Sequence, residues 1–155
     1  MSAKLTLYHA NPRGTGAAMQ MELVPADEAN NKGGILLTLA PQIQVDGGYD
    51  FGWTKDRKLT TLLGFNSLCQ FLQVFRGECE SLMGGGIVRN TPEFKRTIKL
   101  DHRVDPDWHY ALEIADHLNC GEDRRVVFLM NSAEALGICE AIAASMGKIA
   151  FGEEA

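Results

Sequence analysis

Two groups of side chains in this sequence could do chemistry. One is the run DHRVDPDWH, which crowds Asp101, His102, Asp105, Asp107 and His109 together. Carboxylates and imidazoles at that density can ligate a divalent metal. Asp-Pro-Asp is also hairpin chemistry, and a turn flanked by surface histidines is the better account, so no metal is expected. The other group is aromatic and basic. Trp53 lies beside Lys55, Arg57 and Lys58, and Trp108 and Tyr110 follow Lys95, Arg96 and Lys99 by one hairpin. Aromatics next to cations on strands can stack bases and hold phosphates, as in single-strand recognition. On pattern alone, Trp53 and Trp108 read more readily as core aromatics flanked by solvated lysines.

Other reactive patterns are weak. GTGAAM and MGGG lack the spacing of a phosphate-binding loop, and no helix signature follows MGGG. Their glycines fit turns, bulges or close backbone approach. No nucleophile and base can be paired from spacing. A non-enzymatic protein without a cofactor is the expectation.

The chain has 155 residues, enough for one domain with a real core, and we expect a single domain over 1–155. Apolar content is 45% and charged content 23%, values that argue against disorder. No apolar run reaches the roughly 18–20 residues of a spanning helix. The N-terminal stretch MSAKLTLYHANPRG has neither a signal-peptide core nor a transit-peptide pattern, so the expected setting is soluble and cytoplasmic. Cys69, Cys79, Cys120 and Cys139 form no C-x-x-C pair and are expected to be reduced, buried thiols. A formal net charge of −5 counts mildly against a general polyanion binder, although local patches matter more than the total.

The elements follow from periodicity. Leu5 to Pro25 is strand-like, with Ala17, Met19, Met21 and Leu23 on one face. ADEANNKGG supplies turn residues. Ile35 to Ala40, within GGILLTLAP, is so apolar that it must be buried on both faces or covered by a partner chain. QVDGGYDFGWTKD reads as a loop or an irregular strand, and Lys58 to Leu63 as a strand. A helix over Asn66–Arg76 has Asn66 as N-cap, Leu68, Phe71, Leu72 and Phe75 on one face, and Gly77 as its C-terminal stop. Cys79 to Leu82 is a possible short strand. Phe94 to Asp101 alternates cleanly, and Trp108, Tyr110, Leu112 and Ile114 form one face of the next strand. Val126 to Met130 is a strand, and Asn131 and Glu134 make a capping box for a helix over Ala133–Met146. DRKLTTLL and DRRVVFLM occupy matching places before the two helices. This favours a duplicated ββββα unit: an α+β fold of two antiparallel four-stranded sheets with two helices.

The order GTGAAMQMELVP, GGILLTLAP, YDFGWTKDRKLTTLLGFNSLCQFLQV resembles the Whirly family of single-stranded DNA-binding proteins. That family carries a Lys-Gly-Lys-Ala-Ala-Leu strand, a glycine-to-Ala-Pro apolar strand and a Tyr-Asp-Trp segment leading through a basic turn to the first helix. Gly16 to Met19, Gly34 to Pro41 and Tyr49 to Lys58 occupy those places. FKRTIKLDH, HYALEIADH, RRVVFLMNSAEALGICEAI and GKIAFG continue the family's order, so the similarity covers about residues 4–152. The mitochondrial guide-RNA-binding proteins share this fold class. Here the first motif reads Arg13-Gly14-Thr15-Gly16, which removes most of its cations and weakens the higher-order assembly they support. The Tyr-Asp-Trp segment is stretched to Tyr49-Asp50-Phe51-Gly52-Trp53. Plant members of the family are organellar, so without a transit-peptide pattern the resemblance fits a prokaryotic or phage relative.

The resemblance implies a homotetramer with the helices at its centre and bases held in apolar pockets between protomers. It implies weak sequence preference and a role in DNA maintenance, recombination, replication or transcription. Trp53, Trp108 and Tyr110 would stack bases or line pockets, and Arg13, Lys55, Arg57, Lys58, Lys95 and Lys99 would contact phosphate. Two alternatives stay open: an RNA-binding protein of the same fold, and a protein-interaction scaffold that has lost its nucleic acid.

Overall fold

A computed structural model describes residues 3–28 and 33–153. The expected turn at 26–34 is therefore seen only at its two ends, since residues 29–32 lie outside the described residues. The first sheet contains β1 (Lys4–His9), β2 (Ala17–Val24), β3 (Gly34–Val45), β4 (Gly48–Phe51) and β5 (Leu59–Gly64), all antiparallel. The expected single stretch from Leu5 to Pro25 is thus a hairpin. β3 is twelve residues long, and both later strands pair with its same edge. Gly34 to Leu39 face β5, and Gln42 to Val45 face β4. The fourth position in the sheet is one strand broken by the Gly52–Lys58 segment, which is why five strands fill the place expected for four. Pro41 has no N–H to give a ladder, and it falls at the switch between the two pairings.

The second sheet runs β6 (Ile87–Asn90), β7 (Phe94–His102), β8 (Tyr110–Leu118) and β9 (Asp123–Met130), in that order and antiparallel throughout. β6 had no periodic signal, being four residues after a glycine run. The possible strand at Cys79 to Leu82 reduces to one bridge, Ser81 to Asp101. Trp108 lies before β8 rather than in it.

Helix α1 spans Phe65–Phe75 and α2 spans Ser132–Phe151. β5 stays paired up to Gly34–Gly64, so α1 begins at once and Gly64, not Asn66, is its N-cap, with no side-chain cap bond. At the other end Gly77 takes φ 78°, as a C-terminal stop requires. α2 starts on the Asn131–Glu134 capping box and runs past Met146 to Gly152 at φ 99°. α1 packs on α2, β5 and β7, whereas α2 reaches back to β2. Each helix thereby joins both halves of the chain. Their apolar faces close one core containing Met19, Leu37, Leu39, Leu59 and Leu63 from the first sheet and Ile98, Leu100, Leu112, Ile114 and Phe128 from the second. β3 is buried on both sides, as its composition demands. Ile35, Leu37 and Leu39 enter the core, while Thr38 and Ala40 are covered on the opposite face.

Cys139 is buried and Cys69 half-buried, but Cys79 and Cys120 are exposed, which corrects the expectation of four buried thiols. Both exposed residues sit in connections outside the helical patterns. No described helix is long and apolar enough to cross a membrane.

Arginines of the second sheet join it to the first. Arg96 makes a two-pronged pair with the cross-strand Asp116, with N–O distances of 2.7 Å on both prongs. It also donates to the Thr60 carbonyl of β5. Arg89 donates to the Thr61 hydroxyl at 3.0 Å. Burial, and then repulsion from Arg96, lower the Arg89 pKa from its ordinary value. Asp116 is only 3% exposed, so removing it strands the Arg96 charge away from water. Asp116→Ala should therefore destabilise the fold by about 3–5 kcal/mol, read as a lower urea midpoint with unchanged slope. A loss under about 1 kcal/mol, the range of an exposed pair, would contradict this role.

Candidate nucleic-acid interface

Strand alternation gives the first sheet a second face, turned away from the helices. Register places Tyr8 opposite Ala18, Ala18 opposite Ala40, and Phe51 opposite Gln42. The two alanines leave a shallow floor. Phe51 fills it, and Trp53 packs alongside. Tyr8 and Tyr49 flank Phe51 with ring centroids 5.5 and 5.9 Å away. Both tyrosines are more than half exposed, at 59% and 58%. The result is a shelf of four aromatics, of which the sequence reading had named only Trp53 as a contact. Tyr49 and Phe51 carried a signal, alternating around Asp50 just before Trp53. Tyr8 carried none, because its place follows only from the β1–β2 register.

The basic turn adjoins this shelf. The N–H groups of Arg57 and Lys58 both donate to the Thr54 carbonyl. Lys55 and Arg57 are exposed, and Lys58 is half-buried at the start of β5. A Cβ on Gly52 would lie 2.9 Å from the Arg57 side chain, so the glycine lets the Arg57 stem lie against the backbone at Gly52. Asp56 has a pKa below its ordinary value, chiefly through a hydrogen bond from the Thr54 side chain. Its carbonyl accepts from Arg124 Nη1 at 2.8 Å, which ties the turn to the second sheet. Arg124 was not singled out in the sequence, where it reads as a charge in a hairpin.

Arg13 sits on the β1–β2 loop. The Gln42 side chain fixes that loop by accepting from the amides of Asn11 and Gly16 and donating to the Asn11 carbonyl. A Cβ on Gly16 would stand 2.1 Å from the His9 carbonyl oxygen, so only glycine fits. Arg13 borders two hollows. One, of about 310 Å³, also touches Gln44 and Tyr49. The other, of about 370 Å³, opens between the sheets and is walled by Trp108, Arg103 and Leu129 among others.

Trp108 is half-buried in the β7–β8 loop. The Asp105 carboxylate accepts from the amides of Asp107 and Trp108, and these two bonds lower its pKa. The Trp108 ring meets His9 edge-on at 5.0 Å, and His9 stacks on Phe128 at 4.9 Å. His9 Nε2 lies 2.7 Å from Glu134, the capping-box acid of α2. The turn at Asp105 is as expected, and His102 is at the surface, but His109 is half-buried with its Nδ1 out of solvent rather than a surface residue. Among the described residues, no three His, Cys, Asp or Glu side chains could hold a metal ion.

The remaining expected contacts lie elsewhere. Tyr110 points to the helices, not outward with the lysines. Its ring packs on Phe75 and His102, and its hydroxyl donates to the Phe75 carbonyl. Burial raises its pKa. Lys95 and Lys99 are exposed on the outer face of the second sheet, opposite His117 and Glu113. Lys95 shares a hollow with Arg124, and so lies toward the basic turn. Trp53, Lys55, Arg57 and Lys58 therefore form one group, Arg13 and Trp108 a second, and Lys95 and Lys99 a flank.

No family model and no curated protein sequence matches this chain. Solved structures do match over almost all of it. WHY1 from Arabidopsis thaliana has a TM-score of 0.77 at 12% identity, covering 97% of this chain and 86% of that one. WHY3 from the same plant gives 0.76 at 17% identity, covering 97% and 89%. The plant transcriptional regulator PBF-2 gives 0.73 at 16% identity, covering 96% and 82%. Two antiparallel sheets joined by two helices, in this order and over this length, make the fold of this chain Whirly-like.

Proposed function

We propose that this protein binds single-stranded DNA with weak sequence preference, without enzymatic activity. The observation that carries this reading is the aromatic shelf of Tyr8, Tyr49, Phe51 and Trp53 beside the cations Arg13, Lys55, Arg57 and Lys58. Tyr8 and Tyr49 are the exposed rings, with half-buried Trp53 beside them and buried Phe51 as their support; exposed rings accept any base face, and nearby cations track the backbone. Likeness of fold to a plant transcriptional regulator is in keeping with a role on nucleic acid. DNA rather than RNA, and a part in DNA maintenance or transcription, belong to the same proposal. A second reading, a protein-interaction scaffold, draws support from the net charge of −5 and from the thinned first motif.

The binding form in this proposal is a homotetramer. α2 shows an outward stripe of Ala133, Gly137 and Ala144, with Leu136 64% exposed and Phe151 85% exposed. Small residues let a second helix approach closely, and large exposed apolar side chains on one face favour cover by another chain. Light scattering at micromolar concentration should return four chains, and a monomer would remove pockets formed between protomers.

Substitutions separate stacking from charge. Trp53 packs in a small cluster apart from the main core, so Trp53→Ala should stay folded. Stacking is worth about 1–3 kcal/mol per base, so this variant should bind a labelled single strand about tenfold or more weakly, with an almost unchanged salt dependence. Lys58→Ala should bind only slightly more weakly and lower the salt slope by roughly 0.7. Wild-type binding by both variants would contradict contact through Trp53 and Lys58, and no measurable binding of single or double strands by the unaltered protein at low salt would favour the scaffold reading.

A further inference from the structure

The hollow between the sheets has the features of a site in its own right. Its volume of about 370 Å³ falls in the range of small-molecule pockets, roughly 300–1,000 Å³. Trp108, Val127 and Leu129 give it an apolar wall, and Arg13 and Arg103 give it two guanidinium groups. Among the described residues, neither arginine has a carboxylate within ion-pair distance. The acid that shares the hollow, Asp105, already accepts from two backbone amides. In a chain of net charge −5, an apolar wall beside two guanidinium groups and one carboxylate, Asp105, whose charge Arg103 also stabilises, leaves a local excess of positive charge that suits an anion carrying a flat apolar group. Trp108 is also held in place. Asp105 fixes its backbone, and His9, itself gripped by Phe128 and Glu134, fixes its edge.

We infer that this hollow is a nucleotide pocket within one protomer, with the base against Trp108 and the phosphate on Arg13 and Arg103. It differs from the shelf in lying between the two sheets and in taking one nucleotide rather than a run, and from pockets between protomers in needing no second chain. For the source of the nucleotide, a unit of a single strand, the inference rests on the function proposed above. A free mononucleotide would present the same chemistry.

The chain has two tryptophans, so Trp53→Phe leaves Trp108 as the sole indole reporter. Deoxyadenosine monophosphate should quench its fluorescence saturably. Deoxyadenosine should do so at least roughly tenfold more weakly, a difference of about 1.4 kcal/mol. Inorganic phosphate should compete without quenching. Arg103→Gln should reduce the monophosphate to the nucleoside's affinity without lowering the unfolding midpoint. Calorimetric titration of the unaltered protein should give the same ranking if the Trp53→Phe background proves unstable. No saturation at millimolar monophosphate, or equal affinity for monophosphate and nucleoside, would overturn the pocket. A labelled thymidine oligonucleotide separates the sources. Oligonucleotide binding without monophosphate binding would sink the pocket and leave the single-strand reading standing. Monophosphate binding that the oligonucleotide cannot displace would uphold the pocket for free nucleotides and count against the single-strand reading.

Discussion

β3 has to satisfy two neighbours along one edge. Its first half is buried on both faces and pairs with β5, and its second half pairs with β4 beyond a proline that cannot donate. The chain between β4 and β5 cannot stay in the ladder across that switch, so it leaves the sheet. The departing segment contains Gly52, Trp53 and the basic turn. The hydrogen bond from the Gly52 amide to the Pro41 carbonyl is the last tie before it goes. Aromatic shelf and basic turn are thus consequences of how one apolar strand is shared. The same strand needs cover from both helices on its inner side, and that demand draws the two halves of the chain into one core.

Electrostatics divide the cations into two populations. Arg89, Arg96 and Arg124 are committed to joining the sheets, through Thr61, Thr60 and the Asp56 carbonyl. The buried Arg96–Asp116 pair adds little net stability, because desolvating both ions offsets much of their attraction, but within the second sheet it holds Arg96 where it reaches the Thr60 carbonyl of the first. Arg13, Lys55, Arg57, Lys58 and Arg103 lie around the aromatics, and Lys95 and Lys99 are exposed on the flank; among the described residues, none of these seven makes such a bond between the sheets. With few cations available to phosphate in an acidic protein, binding through stacking should outweigh binding through counterion release. This is the opposite balance from a basic protein that coats any polyanion.

Much of this architecture was legible in the sequence, where local pattern and tertiary demand agree. The capping box at Asn131 and Glu134, the alternation from Phe94, and the two-faced burial of GGILLTLAP each stand as read. Errors fell where the two diverge. Asn66 is a good N-cap residue, but strand pairing at Gly64 leaves no turn for it to cap. Trp108 shares the parity of Tyr110, yet the turn at Asp105 removes it from the strand and gives it a different wall. For the candidate site, Trp53 and Arg57 could be found by adjacency in sequence. Tyr8, Arg103 and Arg124 could not, since each joins the others through register or across the gap between sheets. Tyr110 shows the reverse. An aromatic near lysines along the chain turns out to face the helices, because alternation sends neighbours to opposite sides.

The exposed rings of the shelf, Tyr8 and Tyr49, can stack only on bases whose faces are free, and in a duplex those faces are covered by the neighbouring base pairs. Competition between single-stranded DNA, duplex DNA and RNA of equal length, at two salt concentrations, tests this most directly. Single-stranded DNA should displace a labelled single strand well before duplex does, ahead of RNA, and its advantage should persist at the higher salt. Equal competition by duplex, vanishing together as salt rises, would mean that charge alone holds the strand. That result would contradict recognition by the shelf.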